Sequence, residues 1–142
     1  MPIRPELRWY YPIDWPLLSK RVRFERAKGR CETCGRPHLA TIHQLADGRW
    51  YDEAEGEWRD DGGRTAAWPN VETYAGYRVW RVLLGTAHLD HDPTNSRFDN
   101  LKALCQRCHL RHDRKEHRRR RRLTYLLRRA LGDLFHGPYR PF

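Results

Sequence analysis

Long apolar runs are missing from this sequence, and acidic residues are in short supply. No stretch approaches the roughly 18 apolar residues of a membrane-spanning helix. The first residues, MPIRPELRWYYPIDWP, contain no apolar segment of the kind that marks an export signal. Aspartates and glutamates number 18 against 28 lysines and arginines, so the formal net charge is +10. We therefore expect a cytoplasmic protein that does not enter a membrane and whose partner is negatively charged.

Core-forming residues are limited as well. Mean hydropathy is −0.96, and 32% of the 142 residues are charged. The hydrophobic core is therefore expected to be small for a chain of this length, which fits one domain, or one domain with a tail. A structural metal or a covalent cross-link would help such a chain to fold.

Cysteine is scarce, and all four cysteines fall into two C-x-x-C pairs. These are CETC at Cys31 and Cys34, and CQRC at Cys105 and Cys108. Two such pairs offer the four thiolates of a tetrahedral structural Zn²⁺ site, and Gly35 tolerates the positive φ of a knuckle turn. Two disulfides or redox-active pairs are the alternatives, and the missing export signal argues against disulfides. The sequence favours a zinc site.

The first half of the chain predicts a mixture of helix and strand. Residues 1–16 indicate an extended arm, and LLSKRVRFERAK, residues 17–28, a short basic helix that ends at Gly29. ATIHQL and RWYDE indicate strands, joined by a turn at Asp47-Gly48. Four tryptophans of this region are interpreted as core or inter-strand residues, namely Trp50, Trp58, Trp68 and Trp80.

The second half predicts further strand followed by helix. Alternating β-branched and aromatic residues from Tyr77 to Asp90 indicate one strand or two, and residues 93–100 indicate a loop. From Leu101 onwards, leucines at helical spacing predict one or two helices that end at Gly137 and Pro138. The expected fold class is α+β.

The strand, the loop and the predicted helix carry a motif. Asp90-His91 closes the strand, Asn100-Leu101 follows the loop, and LCQRCH occupies residues 104–109. This order resembles the ββα-metal core of HNH endonucleases, whose pattern is Asp-His or His-His, then Asn-Leu, then Leu-Cys-x-x-Cys-His. The upstream CETCG matches the first knuckle that many members of the family carry. The resemblance covers residues 31–35 and 88–113.

The resemblance implies a division of the chain into three parts. Residues 17–113 would form the nuclease domain, with its knuckles at 31–34 and 105–108 and a β-rich insertion at 41–87. The N-terminal arm, residues 1–16, and a basic helical extension, residues 114–142, lie outside it. The implied fold is a small ββα-metal core stapled by a four-cysteine zinc site.

The resemblance also implies a role for each motif residue in the hydrolysis of a DNA phosphodiester bond. His91 would be the general base that activates water, and Asn100 would hold the other nitrogen of its ring. Asp90 and His109 would bind one catalytic divalent cation beside the scissile phosphate. Two protein ligands suit Mg²⁺ or Mn²⁺, and a histidine ligand also admits Ni²⁺.

Several neighbouring polar residues have more than one interpretation. Asp113, one helical turn after His109, is either a third metal ligand or a residue on a solvated helix face, and His112 is a weaker choice for the same role. His88 is either a helper of the metal or substrate, or an ordinary strand-end residue. Asn100 is alternatively only the N-cap of the helix predicted to follow it.

The C-terminal part is strongly basic. Residues 111–129 hold ten of the 28 basic residues and only two acids, which predicts salt-sensitive phosphate binding without base readout. The predicted DNA-binding residues are Arg111, Arg114, Lys115, Arg118, Arg119, Arg120, Arg121 and Arg122. The leucines between residues 123 and 134 are interpreted as a packing stripe, against the body, a second copy or a partner protein. A non-catalytic zinc-knuckle module that binds nucleic acid and a protein-interaction module are the rival functional interpretations.

Overall fold

The computed structural model of the protein describes Ile3 and residues 5–135, with side chains as far as residue 130. The chain forms two compact units, residues 1–109 and residues 110–142. The helices and strands are a 3-10 helix Pro5–Tyr10, α1 Trp15–Lys20 continued by a π-helix Arg21–Arg26, β1 Thr41–Gln44, β2 Trp50–Asp52, β3 Glu57–Arg59, α2 Val71–Tyr74, β4 Arg78–Arg81, β5 Leu84–His88, a 3-10 turn Phe98–Asn100, β6 Leu101–Cys105 and α3 Gln106–Phe135.

The predicted α+β class is confirmed, since helices and antiparallel sheets are both present. In the described part of the chain, the strands form a four-stranded sheet in the order β3-β2-β1-β4 and a separate two-stranded sheet of β5 and β6. The four-stranded sheet falls within the predicted β-rich insertion. The segment predicted as one strand or two between Tyr77 and Asp90 is two strands, β4 and β5, which belong to different sheets.

The predicted hairpin at Asp47-Gly48 is confirmed. Strand β1 pairs antiparallel with β2, and Gly48 has a φ of 98°, which a residue without a side chain adopts at little cost. The backbone N–H of Leu45 donates to the carbonyl of Arg49 at 2.8 Å, and the Asp47 carboxylate accepts from the Arg49 N–H at 2.9 Å. Local turn chemistry therefore sets this hairpin.

The helix predicted from Leu101 begins later, and that part of the prediction is wrong. Residues Leu101–Cys105 form strand β6, which pairs with β5 from Leu84↔Cys105 to His88↔Leu101. The two leucines at 101 and 104 fit helical spacing and a short buried strand equally well, and pairing with β5 decides for the strand. Asn100 therefore precedes a strand, and its predicted alternative role as a helix N-cap is wrong.

The N-terminal arm also differs from the prediction. Residues Pro5–Tyr10 form a 3-10 helix, for which the fixed φ of a leading proline is suited, and the next helix begins at Trp15 rather than at residue 17. The Trp15 ring stacks on the His88 ring with centroids 5.0 Å apart, and the Tyr11 ring meets the His88 ring edge-on at 5.6 Å. Aromatic contacts thus attach this segment to the end of β5.

The core of the first unit has two clusters. The larger contains the four cysteines with Ile42, Trp50, Val82, Leu84, Ala87 and Leu104, and the smaller contains Val22, Leu101 and Ala103. Trp50 and Trp58 are buried as predicted, and Trp80 packs partly buried against the larger cluster. Trp68 is 70% exposed, so its predicted core position is wrong. It lies in a connecting segment, where its ring contacts the Tyr51 and Trp58 rings without being enclosed.

The second unit is described as the continuation of helix α3. The leucines predicted to form a stripe are exposed there, with Leu123 at 47%, Leu126 at 47% and Leu127 at 62%. The side chains of Leu131 and Leu134 and the predicted helix end at Gly137 and Pro138 lie outside the described residues. Over the described residues, no helix is both long and apolar enough to cross a membrane.

Candidate functional site

The four cysteines come together in the first unit. One sulfur from each of Cys31, Cys34, Cys105 and Cys108 lies within 4.8 Å of the others, and all four residues are buried. The Cys34 and Cys105 sulfurs are 3.6 Å apart, close to the roughly 3.8 Å between sulfurs that Zn–S bonds of about 2.3 Å give in a tetrahedron. The four are free thiols rather than disulfides. The group is compatible with a structural zinc site.

Local structure presents these thiols to one another. The Gly35 N–H donates to the Cys31 carbonyl at 2.8 Å and closes the first knuckle, with Gly35 at a φ of 73°. Cys105 is the last residue of β6, and Cys108 lies in the first turn of α3. The Cys105 N–H donates to the Cys31 sulfur at 3.3 Å, so the two knuckles are already in contact through a backbone-to-sulfur bond.

Proximity makes the four thiols unequal acids. Hydrogen bonds from the Cys105, Cys108 and Cys34 thiols hold the pKa of Cys31 well below its usual range. Bonds from the Cys105 and Cys108 thiols lower the pKa of Cys34 to about 7. Bonds to the other three sulfurs, the largest to Cys105, raise the pKa of Cys108. Without a cation, the group therefore does not ionise fully, and a thiophilic divalent cation would balance the charge of four thiolates.

Strands β5 and β6 form an antiparallel hairpin, with Cys105 at one end. At its other end, Asp90 and Asn100 fix the loop between the two strands. The Asn100 side-chain N–H donates to the Asp90 carboxylate at 2.8 Å and to the Asn95 carbonyl at 2.8 Å. Its oxygen accepts from the Asp90 backbone N–H at 3.3 Å. Asp90 also accepts from the Asp92 N–H at 2.9 Å and from the Asn95 side chain at 2.6 Å. Asn100 thus joins the two ends of the loop.

These bonds make Asp90 an anion under ordinary conditions. The Asn100 side-chain bond, the Asp92 backbone bond and the Asn95 side-chain bond together lower the pKa of Asp90 to about 2. The bonds of the Asn100 side chain go to Asp90 and Asn95, whereas the resemblance implies that Asn100 orients His91. The orienting role stays a prediction.

His91 lies in the loop with an unusual backbone. The strand β5 ends at His88, so the regular alternation does not extend to His91. His91 has a φ of 61°, a left-handed conformation that costs a residue with a side chain free energy. Its N–H donates to the His88 carbonyl at 3.2 Å. The turn begins at Leu89, before Pro93, and separates His91 from the strand geometry of its neighbours.

His88, considered as a helper of the metal or substrate, has a packing role. It is 9% exposed, is stacked on Trp15, and places its Nε2 3.2 Å from the Ser96 hydroxyl. Burial lowers the pKa of His88 and outweighs the opposing charges of Asp90 and Asp92. The stacking on Trp15 is what the structure adds to the sequence interpretation.

His109 lies in the first turn of α3. A Cβ placed on Gly85 would lie 3.4 Å from its Nδ1, so the imidazole rests against β5 at a residue without a side chain. Gly85 is a feature that sequence reasoning missed, and a glycine inside a strand is the signal that indicates such a close approach. Asp113 and His112 are half-buried residues of α3 in the second unit.

The predicted DNA-binding residues all lie on α3 in the second unit. All eight, from Arg111 to Arg122, are exposed. Glu116 accepts from Arg120 at 2.8 Å and lies 3.6 Å from an Arg119 nitrogen, in an exposed i,i+4 and i,i+3 arrangement worth little to stability. The charge of this helix segment is therefore presented to solvent.

A comparison of the chain with models of protein families, with curated proteins and with solved structures finds no match. Any functional conclusion therefore depends on the residues of this chain and on their geometry.

Proposed function

We propose that the protein is a metal-dependent HNH-type endonuclease that hydrolyses DNA phosphodiester bonds, with its four cysteines holding a structural Zn²⁺. The observation that carries the proposal is the fixed and ionised Asp90 in the loop of a β-hairpin that leads directly into a helix. His91 follows Asp90 in that loop, and His109 lies in the first turn of the helix. This arrangement supports the order of elements that the resemblance implies.

The loop supplies an anion in a defined place. Asp90 accepts three hydrogen bonds and is exposed, which leaves part of the capacity of its two oxygens for a cation. A divalent cation held by Asp90 and His109 would stabilise the charge that develops on a phosphate during hydrolysis. Mg²⁺, Mn²⁺ and Ni²⁺ are the cations that such ligands favour.

His91 supplies the proton transfer. Imidazole is the side chain whose ordinary titration range lies nearest neutral pH, which suits it to accept a proton from water. The left-handed backbone at His91 takes the residue out of the strand geometry, at a cost that the rest of the loop offsets. We assign His91 as general base and Asn100 as the residue that positions its loop.

The basic face of α3 supplies DNA affinity in this proposal. The arginines and the lysine between residues 111 and 122 are exposed and would neutralise phosphates without reading base sequence. Asp113, in the second unit, stays a proposed third ligand that substitution can test.

One observation favours the rival function, a non-catalytic zinc-knuckle module that binds nucleic acid. The bonds from Asn100, Asn95 and Asp92 to Asp90 also form a turn that would be useful without any metal. In that case Asp90 and His91 only stabilise the conformation of the loop, and the basic helix α3 alone binds the nucleic acid.

The two functions are separated by supercoiled plasmid incubated with the protein and Mg²⁺, Mn²⁺ or Ni²⁺. The endonuclease converts it to nicked or linear DNA, and His91→Ala lowers that rate by about 10²–10⁴-fold, the usual contribution of a general base. DNA binding, measured without an added divalent cation, stays unchanged in the variant, because the basic residues of α3 rather than His91 are proposed to contact the phosphates.

The matched control is His117→Ala, which removes an exposed imidazole of α3 and leaves the cleavage rate unchanged. An inert wild type with every cation, or equal cleavage by His91→Ala, would reject the endonuclease and leave the binding module.

A further inference from the structure

We propose that Asp61, in the loop after β3 of the insertion, is a positioning residue for the four-cysteine metal site, and that the insertion holds the two knuckles in place around the metal. The inference rests on the structural zinc of the proposed function. It adds a role for the insertion, to which the sequence motif assigns none. Four sets of contacts support it.

The first contact joins Asp61 to the second knuckle. Arg107, one of the two residues between Cys105 and Cys108, donates two bonds to the Asp61 carboxylate, at 2.7 and 2.8 Å. Such a two-pronged pair fixes the orientation of the guanidinium as well as its distance. Arg107 thus attaches the second knuckle to the loop that contains Asp61.

The second contact joins Asp61 to the first knuckle. Arg36, two residues after Cys34, is fully buried and donates to Asp61 at 3.2 Å and to the Gly48 carbonyl at 3.3 Å. The Arg36 carbonyl accepts from the Cys31 N–H at 2.9 Å. A fully buried guanidinium is costly unless an anion accompanies it, and Asp61 supplies that anion. One carboxylate therefore holds cations from both knuckles.

The third contact is steric. Gly63, two residues after Asp61, has a φ of 91°, and a Cβ there would lie 2.6 Å from the Cys34 carbonyl oxygen. No side chain fits that space, so the loop lies directly on the backbone of the first knuckle. The Asp60 carboxylate accepts from the Gly62 and Arg64 N–H groups at 2.8 and 3.0 Å, which shapes the loop that presents Asp61.

Gln106, the other residue between Cys105 and Cys108, also contacts the insertion. Its side chain accepts from the Leu83 N–H at 2.9 Å and donates to the Arg81 carbonyl at 3.0 Å, where β4 ends. Gln106 and Arg107 thus attach the second knuckle to two separate parts of the insertion. Both knuckles are constrained by the insertion rather than by the chain near the cysteines alone.

The test measures the rate at which zinc leaves the full-length protein for a chromogenic chelator. Asp61→Asn keeps the shape of the side chain and removes its charge, and we expect release to be about 10-fold faster or more, the scale on which outer residues affect metal affinity. Arg107→Lys keeps the positive charge, loses the two-pronged geometry, and is expected to change the rate in the same direction. Cobalt absorption spectra of the same variants report whether four sulfurs still bind the metal.

Two controls separate positioning from general stability. Val22→Ala removes buried volume in the smaller core cluster, away from the cysteines, and lowers the melting temperature without accelerating zinc release. Glu25→Gln removes an exposed carboxylate with an i,i+4 partner and changes neither quantity.

The outcomes distinguish the positioning role of Asp61 from the structural zinc site on which it rests. If Asp61→Asn releases zinc at the wild-type rate, or no faster than Val22→Ala at the same loss of melting temperature, the positioning role is refuted while the zinc site stands. If the wild-type cysteines bind neither zinc nor cobalt, the structural zinc and this inference fail together.

Discussion

The two ends of the hairpin formed by β5 and β6 carry different kinds of site. At one end, Leu84 pairs with Cys105, and four buried sulfurs meet beneath the inserted sheet. At the other end, His88 pairs with Leu101, and the loop that contains Asp90 is exposed. The first end is held by contacts between residues far apart in the sequence, and the second mainly by bonds within one loop.

The difference teaches where stability and chemistry reside in a small basic chain. Burial of the cysteines in the larger core cluster makes the four-cysteine group part of the core. The Asp90 loop holds its shape through hydrogen bonds spanning ten residues or fewer, so it can be altered without opening the core. Substitutions at the two ends should therefore have separable effects on folding and on activity.

Loss of the metal should have the largest effect. A strong zinc chelator, or Cys108→Ser, is expected to unfold the first unit, because structural zinc sites contribute apparent binding free energies of about 10–16 kcal/mol to folding. Circular dichroism during heating, with and without chelator, measures the change. Re-addition of zinc should restore the folded signal in the wild type but not fully in Cys108→Ser. An unchanged melting temperature after complete removal of metal would show that the hydrophobic core suffices alone.

Asn100→Ala should have a smaller effect, confined to the loop end. It removes the Asn100 bonds to Asp90 and Asn95, each of which contributes about 0.5–1.5 kcal/mol, so we expect the free energy of unfolding to fall by about 1–2 kcal/mol. Urea denaturation of the zinc-bound protein provides the measurement. Asn95→Ala, which removes one side-chain bond to Asp90, is the matched control and should cost less. An equal loss of unfolding free energy in the two variants would contradict the larger role of Asn100. Accelerated zinc release in Asn100→Ala would contradict the independence of the two ends.

The same contrast explains how much the sequence predicted. The grouping of Cys31, Cys34, Cys105 and Cys108 was predictable, because C-x-x-C spacing encodes the geometry of a knuckle. The hairpin at Asp47-Gly48 was predictable because its turn is set by local chemistry. Both signals are contained within a few residues, and the structure confirms both.

Features that depend on distant partners were not predictable. Leu101–Cys105 is a strand because β5 lies beside it, and leucine spacing alone does not decide between helix and strand. Trp68 looks like a core residue by type but lies where no layer covers it. The contacts of Asp61 with both knuckles join residues 25 and 46 positions apart, and no spacing rule connects them. Charge at these positions gives no sign of its partner until the sheet is formed.

A still smaller effect should separate the backbone of His91 from its imidazole. His91→Gly and His91→Ala both remove the proposed base, so both should cleave plasmid about 10²–10⁴-fold more slowly than the wild type. Glycine adopts a φ of 61° more readily than alanine, and we expect His91→Gly to be about 1 kcal/mol more stable than His91→Ala. Urea denaturation of the two variants tests the difference, with Asp99→Gly and Asp99→Ala as the control pair outside the left-handed region. A more stable alanine variant would exclude backbone strain at this position.

The smallest effect concerns the charge of Asp90. Its folded pKa of about 2 is below the ordinary value of 3.8, so its contribution to stability is present above pH 3.8 and is lost as the pH falls towards 2. At pH 4.5, an ordinary aspartate is about one-sixth protonated, whereas Asp90 should be protonated well below about one per cent. Carbon-13 NMR of the Asp90 carboxyl, recorded with excess zinc between pH 7 and 4.5, should show no titration. In Asn100→Ala the largest cause of the low pKa is gone, so the same carbon should begin to titrate within this range. Titration in the wild type would mean that the bonds from Asn100 do not hold the loop in solution, and the fixed anion on which the proposed cation site depends would be lost.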